Sequence, residues 1–264
     1  AWSVGRSVYD FYMREWAGVD PSDGAPTWFQ YYDDINNNNV LDVGEPSSSS
    51  SGSWIPVDPT VENRSSSIVE YQRKISDANI KKKVTKNYAD ATELYANKSA
   101  IPDVQGAFRL TGKLYDFTFS TQFTYSLGGY AYDAQYAELM SDRFGAVGNN
   151  FHKDISNRWQ NPGDITDVPV LSDNVIVQGT STSTRFLTST DFIALNNVNI
   201  GYAVPKKYLK GTSIDVFNIS MTADNLFMGT ARRGFLPNTS ESGNSGRRLY
   251  APQSTISLGV RVKF

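Results

Sequence analysis

Thr255-Ile256-Ser257-Leu258-Gly259-Val260-Arg261-Val262-Lys263-Phe264 alternates without a break between polar or small and apolar side chains, down to the last residue of the chain. Successive side chains of a β-strand point to opposite faces, so Ile256, Leu258, Val260, Val262 and Phe264 share one face and Thr255, Ser257, Gly259, Arg261 and Lys263 the other. One face suits lipid and the other water, as in the closing strand of a transmembrane barrel; the last strand of a soluble β-sandwich can show the same alternation. A second stretch separates the two. From Tyr115 to Leu127 the odd positions read Tyr, Phe, Phe, Thr, Phe, Tyr, Leu and the even ones Asp, Thr, Ser, Gln, Thr, Ser. At ~3.3 Å per residue this run spans ~40 Å, long for a globular domain and suited to a tilted membrane strand that projects beyond the bilayer. Tyr115 and Tyr125 stand near the ends of its aromatic face, where interfacial girdle residues are expected.

Composition agrees with a β-rich, polar chain: 264 residues, 39% hydrophobic, 13% aromatic, with 20 Gly and 15 Tyr, and a mean hydropathy of -0.41. No apolar run approaches the ~18 residues of a spanning helix, but barrel strands escape that requirement because they close their backbone hydrogen bonds on one another and only alternate side chains meet lipid. A net charge of -2 gives no basic footprint for nucleic acid. With no cysteine, disulfides and thiolate metal sites are excluded. His152 is the only histidine and no G-x-S-x-G motif accompanies it, so it reads as a surface-loop residue and the chain reads as a non-enzyme. The start, Ala1-Trp2-Ser3-Val4-Gly5-Arg6, has neither the basic nor the apolar region of a signal peptide; a leader has been removed, or the chain is the tail of something longer.

Strands are expected at 4–17 and 27–32, separated by a turn-rich stretch at 18–26. An Asn-rich loop and the flexible run Ser48–Ser53 follow, then the solvated charge run Lys81-Lys82-Lys83 and a helix over 88–100 that stops before Pro102. Further strands fall at 106–112, 114–128, 190–203, 213–227 and 254–264. Tight connections are expected at Gly112-Lys113 and 205–211, long ones at 129–189 and 228–253, and about seven strands are visible in all. Short turns on one side and long loops on the other are a barrel habit, and seven strands fall short of the eight that a bacterial barrel needs, so the chain is expected to complete a barrel begun elsewhere.

One motif is sharp. Asp34-Ile35-Asn36-Asn37-Asn38-Asn39-Val40-Leu41-Asp42-Val43-Gly44-Glu45 places oxygen-bearing side chains at positions 1, 3, 5 and 9 of a twelve-residue calcium loop, Asp34, Asn36, Asn38 and Asp42, with the Val40 carbonyl at 7 and Glu45 at 12. Asn39 takes position 6, where glycine is usual, and asparagine tolerates the left-handed backbone required there. Calcium takes six to eight oxygens, and so few charges imply weak binding, ~10⁻⁴ to 10⁻³ M, in a structural brace. The other reading is an Asn-rich turn without an ion. Counting strands back from the carboxy terminus puts the loop outside the cell; one extra strand between Glu45 and Gly106 inverts that.

Taken in order, Val4-Gly5-Arg6-Ser7, Trp16-Ala17-Gly18-Val19-Asp20-Pro21, Tyr32-Asp33-Asp34, Leu114-Tyr115-Asp116-Phe117-Thr118, Gly128-Gly129-Tyr130, Asn157-Arg158-Trp159, Pro162-Gly163-Asp164, Val168-Pro169, Ser183-Thr184-Arg185-Phe186-Leu187, Asn199-Ile200-Gly201-Tyr202, Asp224-Asn225-Leu226, Gly234-Phe235-Leu236-Pro237 and Phe264 give the chain its family likeness. It resembles the carboxy-terminal part of SusC/RagA-type TonB-dependent outer-membrane transporters. The resemblance implies an all-β fold over 1–264, the carboxy-terminal part of a transmembrane antiparallel β-barrel of about 22 strands with long extracellular loops. The plug, the TonB-contacting box and the earlier barrel strands lie outside these residues, which reads as a fragment or a cleaved carboxy-terminal chain. It further implies a multi-pass place in the outer membrane of a Gram-negative, Bacteroidota-like bacterium. There the whole protein would import oligosaccharides or peptides, driven by the TonB system and assisted by a SusD-like surface lipoprotein, with the amino-terminal part of the transporter and membrane lipid as further partners and no catalytic residue. A calcium-dependent surface protein that stacks Trp28, Trp54 and Trp159 on sugar rings is the competing reading, and a soluble calcium-dependent hydrolase a third.

Overall fold

The computed structural model describes residues 4–48, 65–141, 150–171, 178–237, 243 and 252–264. Trp54 and most of the run Ser48–Ser53 lie outside them. The chain divides into two compact units, one built from residues up to Ser99 with Tyr132–Leu187, the other from Ala100–Ala131 with Thr188–Phe264.

In the first unit, β1 (Asp10–Arg14) and β2 (Trp16–Val19) divide the expected 4–17 strand at Glu15, and β3 (Pro26–Asp33) follows. Then come α1 (Ile68–Lys74), β4 (Ile80–Thr85) and β5 (Glu93–Ser99). β2, β3 and β4 form one antiparallel sheet, and β1 pairs with β5. The helix expected over 88–100 is therefore not formed. Its alanines favour a helix only weakly, and the tertiary pairing outweighs them: Tyr95 is buried edge-on against Tyr12 at 5.0 Å, and Thr92 N–H donates to the Phe29 carbonyl. Lys82, from the expected solvated run, lies 3.8 Å from the centre of the Phe29 ring and 3.4 Å from Glu15, so it packs as well as solvates. The helix α1 starts on Ser67, whose hydroxyl accepts from Glu70 N–H, while the Glu70 carboxylate accepts from Ser66 N–H and hydroxyl. Trp28 is fully buried between Trp16 and Tyr88, both edge-on, at 5.7 and 5.2 Å. Further along, α2 (Ala134–Leu139) packs Ala137 and Met140 on Phe186 and Val168. His152 is half-buried; its Nδ1 accepts from Asp154 N–H and its ring meets Tyr136 edge-on.

The second unit is built on five long strands: β6 (Val104–Leu114), β7 (Phe117–Leu127), β10 (Phe192–Ala203), β11 (Val216–Thr230) and β12 (Thr255–Lys263). The short strands β8 (Tyr130–Tyr132) and β9 (Leu187–Ser189) stand where the chain passes between units, so the described residues form twelve strands rather than seven. The long strands make one antiparallel sheet in the order β12-β11-β10-β7-β6. The β6–β7 hairpin turns at Tyr115-Asp116, not at Gly112-Lys113, with Tyr115 in the left-handed region at φ 53°. Gly112 serves another purpose. It sits in the strand under the Phe119 ring, which a Cβ at 112 would meet at 2.2 Å. The aromatic strand thus has 11 residues, and Tyr115 belongs to the turn.

The register shows what alternation builds. Gly112, Phe119, Ile200, Met221 and Leu258 form one transverse row, and Leu110, Thr121, Val198, Ala223 and Ile256 the next on the same face. Lys113, Thr118, Gly201, Ser220 and Gly259 face the other way, as do Thr111, Ser120, Asn199, Thr222 and Ser257. A register shift between Leu195 and Asn197, where Thr124 hydroxyl donates to Asn196 Oδ1 at 2.6 Å, is answered on β11, where Asn225 turns left-handed at φ 52°. These bulges keep Leu195 and Val198 on one face, which strict alternation along 190–203 cannot do.

Candidate functional site

The twelve-residue loop leaves the end of β3 and closes on itself. Asp33 N–H donates to the Pro46 carbonyl, and Tyr32 bridges Ser47. Asp34 is fully buried, and its two carboxylate oxygens accept from Asn38 N–H and Asn39 N–H, each at 3.0 Å. Those bonds need a tight turn, made by left-handed Asn37 (φ 60°) and Asn39 (φ 62°), as the substitution of asparagine for glycine at the sixth position anticipates. Asn36 Oδ1 accepts from Asn38 N–H, and Asn38 Oδ1 from Val40 N–H at 2.7 Å. Asp42 Oδ2 accepts from the amides of both Asn36 (2.6 Å) and Asn38 (2.7 Å). Glu45 reaches back across the loop, accepting from Ile35 N–H and Asp42 N–H at 3.0 Å.

All the expected ligand residues are therefore drawn into one hydrogen-bonded ring, with Val40 on its exposed side. The phenol of Tyr32 registers the acids: burial pushes its pKa up, and the carboxylates of Asp34, Glu45 and Asp42 add to the shift. Among the described residues no three carboxylate or imidazole groups stand close enough to grip a metal unaided. In this loop the asparagine oxygens and a backbone carbonyl would have to share the work, which suits calcium, an ion satisfied by neutral oxygens, and not zinc.

Two residues outside the motif hold it. Asn79, just before β4, accepts from Asp34 N–H, donates through Nδ2 to the Asp34 carbonyl and to Asn37 Oδ1, and donates its own N–H to Asp33 Oδ1. The other Asp33 oxygen accepts from Tyr71 of α1 at 2.7 Å. Sequence reading missed both, since no local pattern links Asn79 to a loop so far upstream.

In the second unit the candidate site is the polar face of the long sheet. Its side chains bond to one another across strands: Arg109 to Gln122, Asn197 to Asp224 at 2.6 Å, Asn199 to Thr222 at 2.7 Å. Toward the Tyr115 turn this face holds a cavity of about 470 Å³ among Lys113, Asp116, Thr118, Asn199 and Arg261. Gly201 and Gly259 keep its floor open, for a Cβ there would meet Thr118 Oγ1 at 2.6 Å or Ser220 Oγ at 2.7 Å.

Of the three tryptophans expected to stack on sugars, Trp54 lies outside the described residues, and the other two do not fit that role. Trp28 is core, and Trp159 packs on Gly24, where a Cβ would meet its ring at 2.6 Å, with its indole N–H donating to the Pro21 carbonyl.

No protein-family model matches the chain. It is 29% identical over 175 residues to a TonB-dependent receptor of Formosa agariphila, a match covering 63% of this chain and 16% of that protein. Its fold matches the RagAB peptide transporter with a TM-score of 0.62 at 22% identity, over 97% of this chain and 23% of that one. The RagAB peptide importer in its closed-closed state gives 0.63, at 22% identity over the same shares. At that identity the likeness is one of fold, and the chain spans less than a quarter of the length of the proteins it matches. Over nearly its whole length the chain has the strand-rich fold of the matching portion of the RagAB transporter, and in sequence it is similar to a stretch of a TonB-dependent receptor.

Proposed function

We propose that the chain is part of an outer-membrane active transporter that imports oligosaccharides or peptides with a SusD-like lipoprotein as partner, energised by the TonB system through parts of the protein outside these residues. The observation that carries this reading is the two-faced register of the long sheet. A soluble sandwich would cover its apolar face, whereas Phe119, Met221, Leu258 and Ile256 remain exposed in one continuous field. Such a field needs lipid to cover it. The polar face would line the substrate path, its amides, hydroxyls and Arg109 offering hydrogen bonds to either substrate class. Energy dependence is the test. Cells carrying the whole protein should take up the oligosaccharide or peptide only while TonB is intact, and uptake that persists without TonB contradicts the reading.

The Asp34–Glu45 loop is proposed to hold calcium through Asp34, Asn36, Asn38, the Val40 carbonyl, Asp42 and Glu45. A cation would take the place that the Asn36 and Asn38 amides occupy beside Asp42 Oδ2. Its contribution would be to stiffen the end of β3 against Asn79 and α1, not to act chemically on substrate.

A further inference from the structure

The connection from β10 to β11 carries Lys206-Lys207-Tyr208-Leu209-Lys210, of which the first four form the single turn α3 (Lys206–Leu209). The turn is fixed: Tyr208 N–H donates to the Pro205 carbonyl, Thr212 N–H to the Leu209 carbonyl, and Val204 N–H to Phe217. All three lysines are exposed, none forms an ion pair with a described residue, and Asp215 is the only acid in the connection. Tyr208 is 66% exposed, with the Lys207 ammonium 4.8 Å from its ring centre. Register fixes what lies beside this turn. The pairs Leu114–Phe117, Ala203–Asn218 and Val216–Lys263 end the strands at the same edge, where the apolar row of Leu114, Phe117, Tyr202, Ile219 and Val260 is the last but one. Tyr115, 86% exposed, stands at that edge too.

Three ammonium groups that form no ion pair with a described residue and two exposed phenols stand one row beyond an apolar field, the depth at which hydrocarbon would give way to phosphate. Lysine stems reach along apolar surface while their charges stay in that layer, and aromatic rings with a polar edge favour the same depth. We propose that this turn binds the phosphates of anionic phospholipids, Lys206, Lys207 and Lys210 supplying the charge and Tyr208 the ring that lies among the headgroups. The inference rests on the lipid-facing reading of the apolar field above.

The test uses the whole transporter, reconstituted in phosphatidylcholine doped with phosphatidylglycerol, with retained lipid counted by native mass spectrometry after extraction. Wild type should retain phosphatidylglycerol over phosphatidylcholine. Each of K206Q, K207Q and K210Q should lower that preference about fivefold, and their combination roughly 100-fold. The three Lys→Arg changes should preserve it, and K81Q with K83Q should leave it unchanged. Equal retention of the two lipids by wild type, or undiminished preference in the triple Gln variant, overturns the proposal; so does complete displacement of phosphatidylglycerol by inorganic phosphate, which would make this a site for the free anion. Alkaline carbonate extraction of the same membranes separates the two readings. Protein that stays in the membrane while the Gln variant keeps its preference refutes only the headgroup site, and protein released by carbonate refutes the transporter reading.

Discussion

Arginine placed along β12 should cost stability according to depth. On the apolar face six successive rows run from Phe217–Val262 to Tyr125–Ile193, five intervals of two residues. Ten residues at ~3.3 Å make ~33 Å along the strand, and a tilt of ~40° reduces this to ~25 Å of height, which equals the apolar band of an outer-membrane barrel. The Leu258 and Ile256 rows flank the middle of that band, and Val262 lies at its end. Leu258 and Ile256 are exposed in the chain, so arginine there meets no packed neighbour and the cost is that of the solvent alone. Leu258→Arg and Ile256→Arg should each destabilise the whole barrel by about 2–4 kcal/mol, a roughly 30- to 700-fold loss in folding equilibrium. Val262→Arg should cost about 0–1 kcal/mol, and Ser257→Arg on the polar face a similar amount. Guanidinium titration of the whole transporter folded into phospholipid vesicles, followed by tryptophan emission and gel mobility, reads these differences. Equal costs at 256, 257, 258 and 262 would refute both the depth and the face.

Terbium, a calcium surrogate excited through the adjacent Tyr32, should luminesce when added to the whole protein, with calcium competing at about 10⁻⁴ to 10⁻³ M and Glu45→Gln abolishing the signal; no luminescence in wild type sinks the metal site. Gly112→Ala should destabilise the sheet by about 1–3 kcal/mol, because its Cβ would lie 2.2 Å from the Phe119 ring. Phe119→Leu in the same chain should recover part of that loss, and strict additivity of the two changes would exclude the contact. Glu70 is held down at about 2 by hydrogen bonds from Ser66 and then Lys74. Its folded pKa lies below the usual carboxylate value, so the order it gives α1 is present above about pH 4.5 and fades as pH falls toward 2. Amide exchange near Ser67 should rise across that window and lose its pH dependence in Glu70→Gln.

Where one face is apolar and the other polar, local pattern sufficed to read structure. β7 and β12 follow directly from alternation, β10 and β11 from alternation on either side of their bulges, and the turn at 34–45 from oxygen-bearing residues at fixed spacing. Legibility failed where a residue answers to a distant neighbour. Gly112 reads as a turn, but its lack of a side chain makes room for Phe119, while the turn itself falls on Tyr115, whose bulk gives no sign of a left-handed backbone. The segment at 88–100 has helical composition and becomes β5 because β1 offers it a partner. One helix was readable and missed. Ser67-Ile68-Val69-Glu70 is a capping box, and its partial realisation starts α1. Asn79 had no signal at all, since its importance arises only when β4 brings it beside Asp34.

Nitroxide scanning of residues 255–263 in the whole transporter, reconstituted in lipid, asks directly whether one face of the sheet meets hydrocarbon and the other water. The chain contains no cysteine, so within it each label is unique. Collision with oxygen should peak at Ile256, Leu258, Val260 and Val262, and collision with a water-soluble nickel chelate at Thr255, Ser257, Gly259, Arg261 and Lys263, with a period of two residues. Accessibility to the nickel chelate at every position, or protection from both reagents along the apolar face, would contradict it.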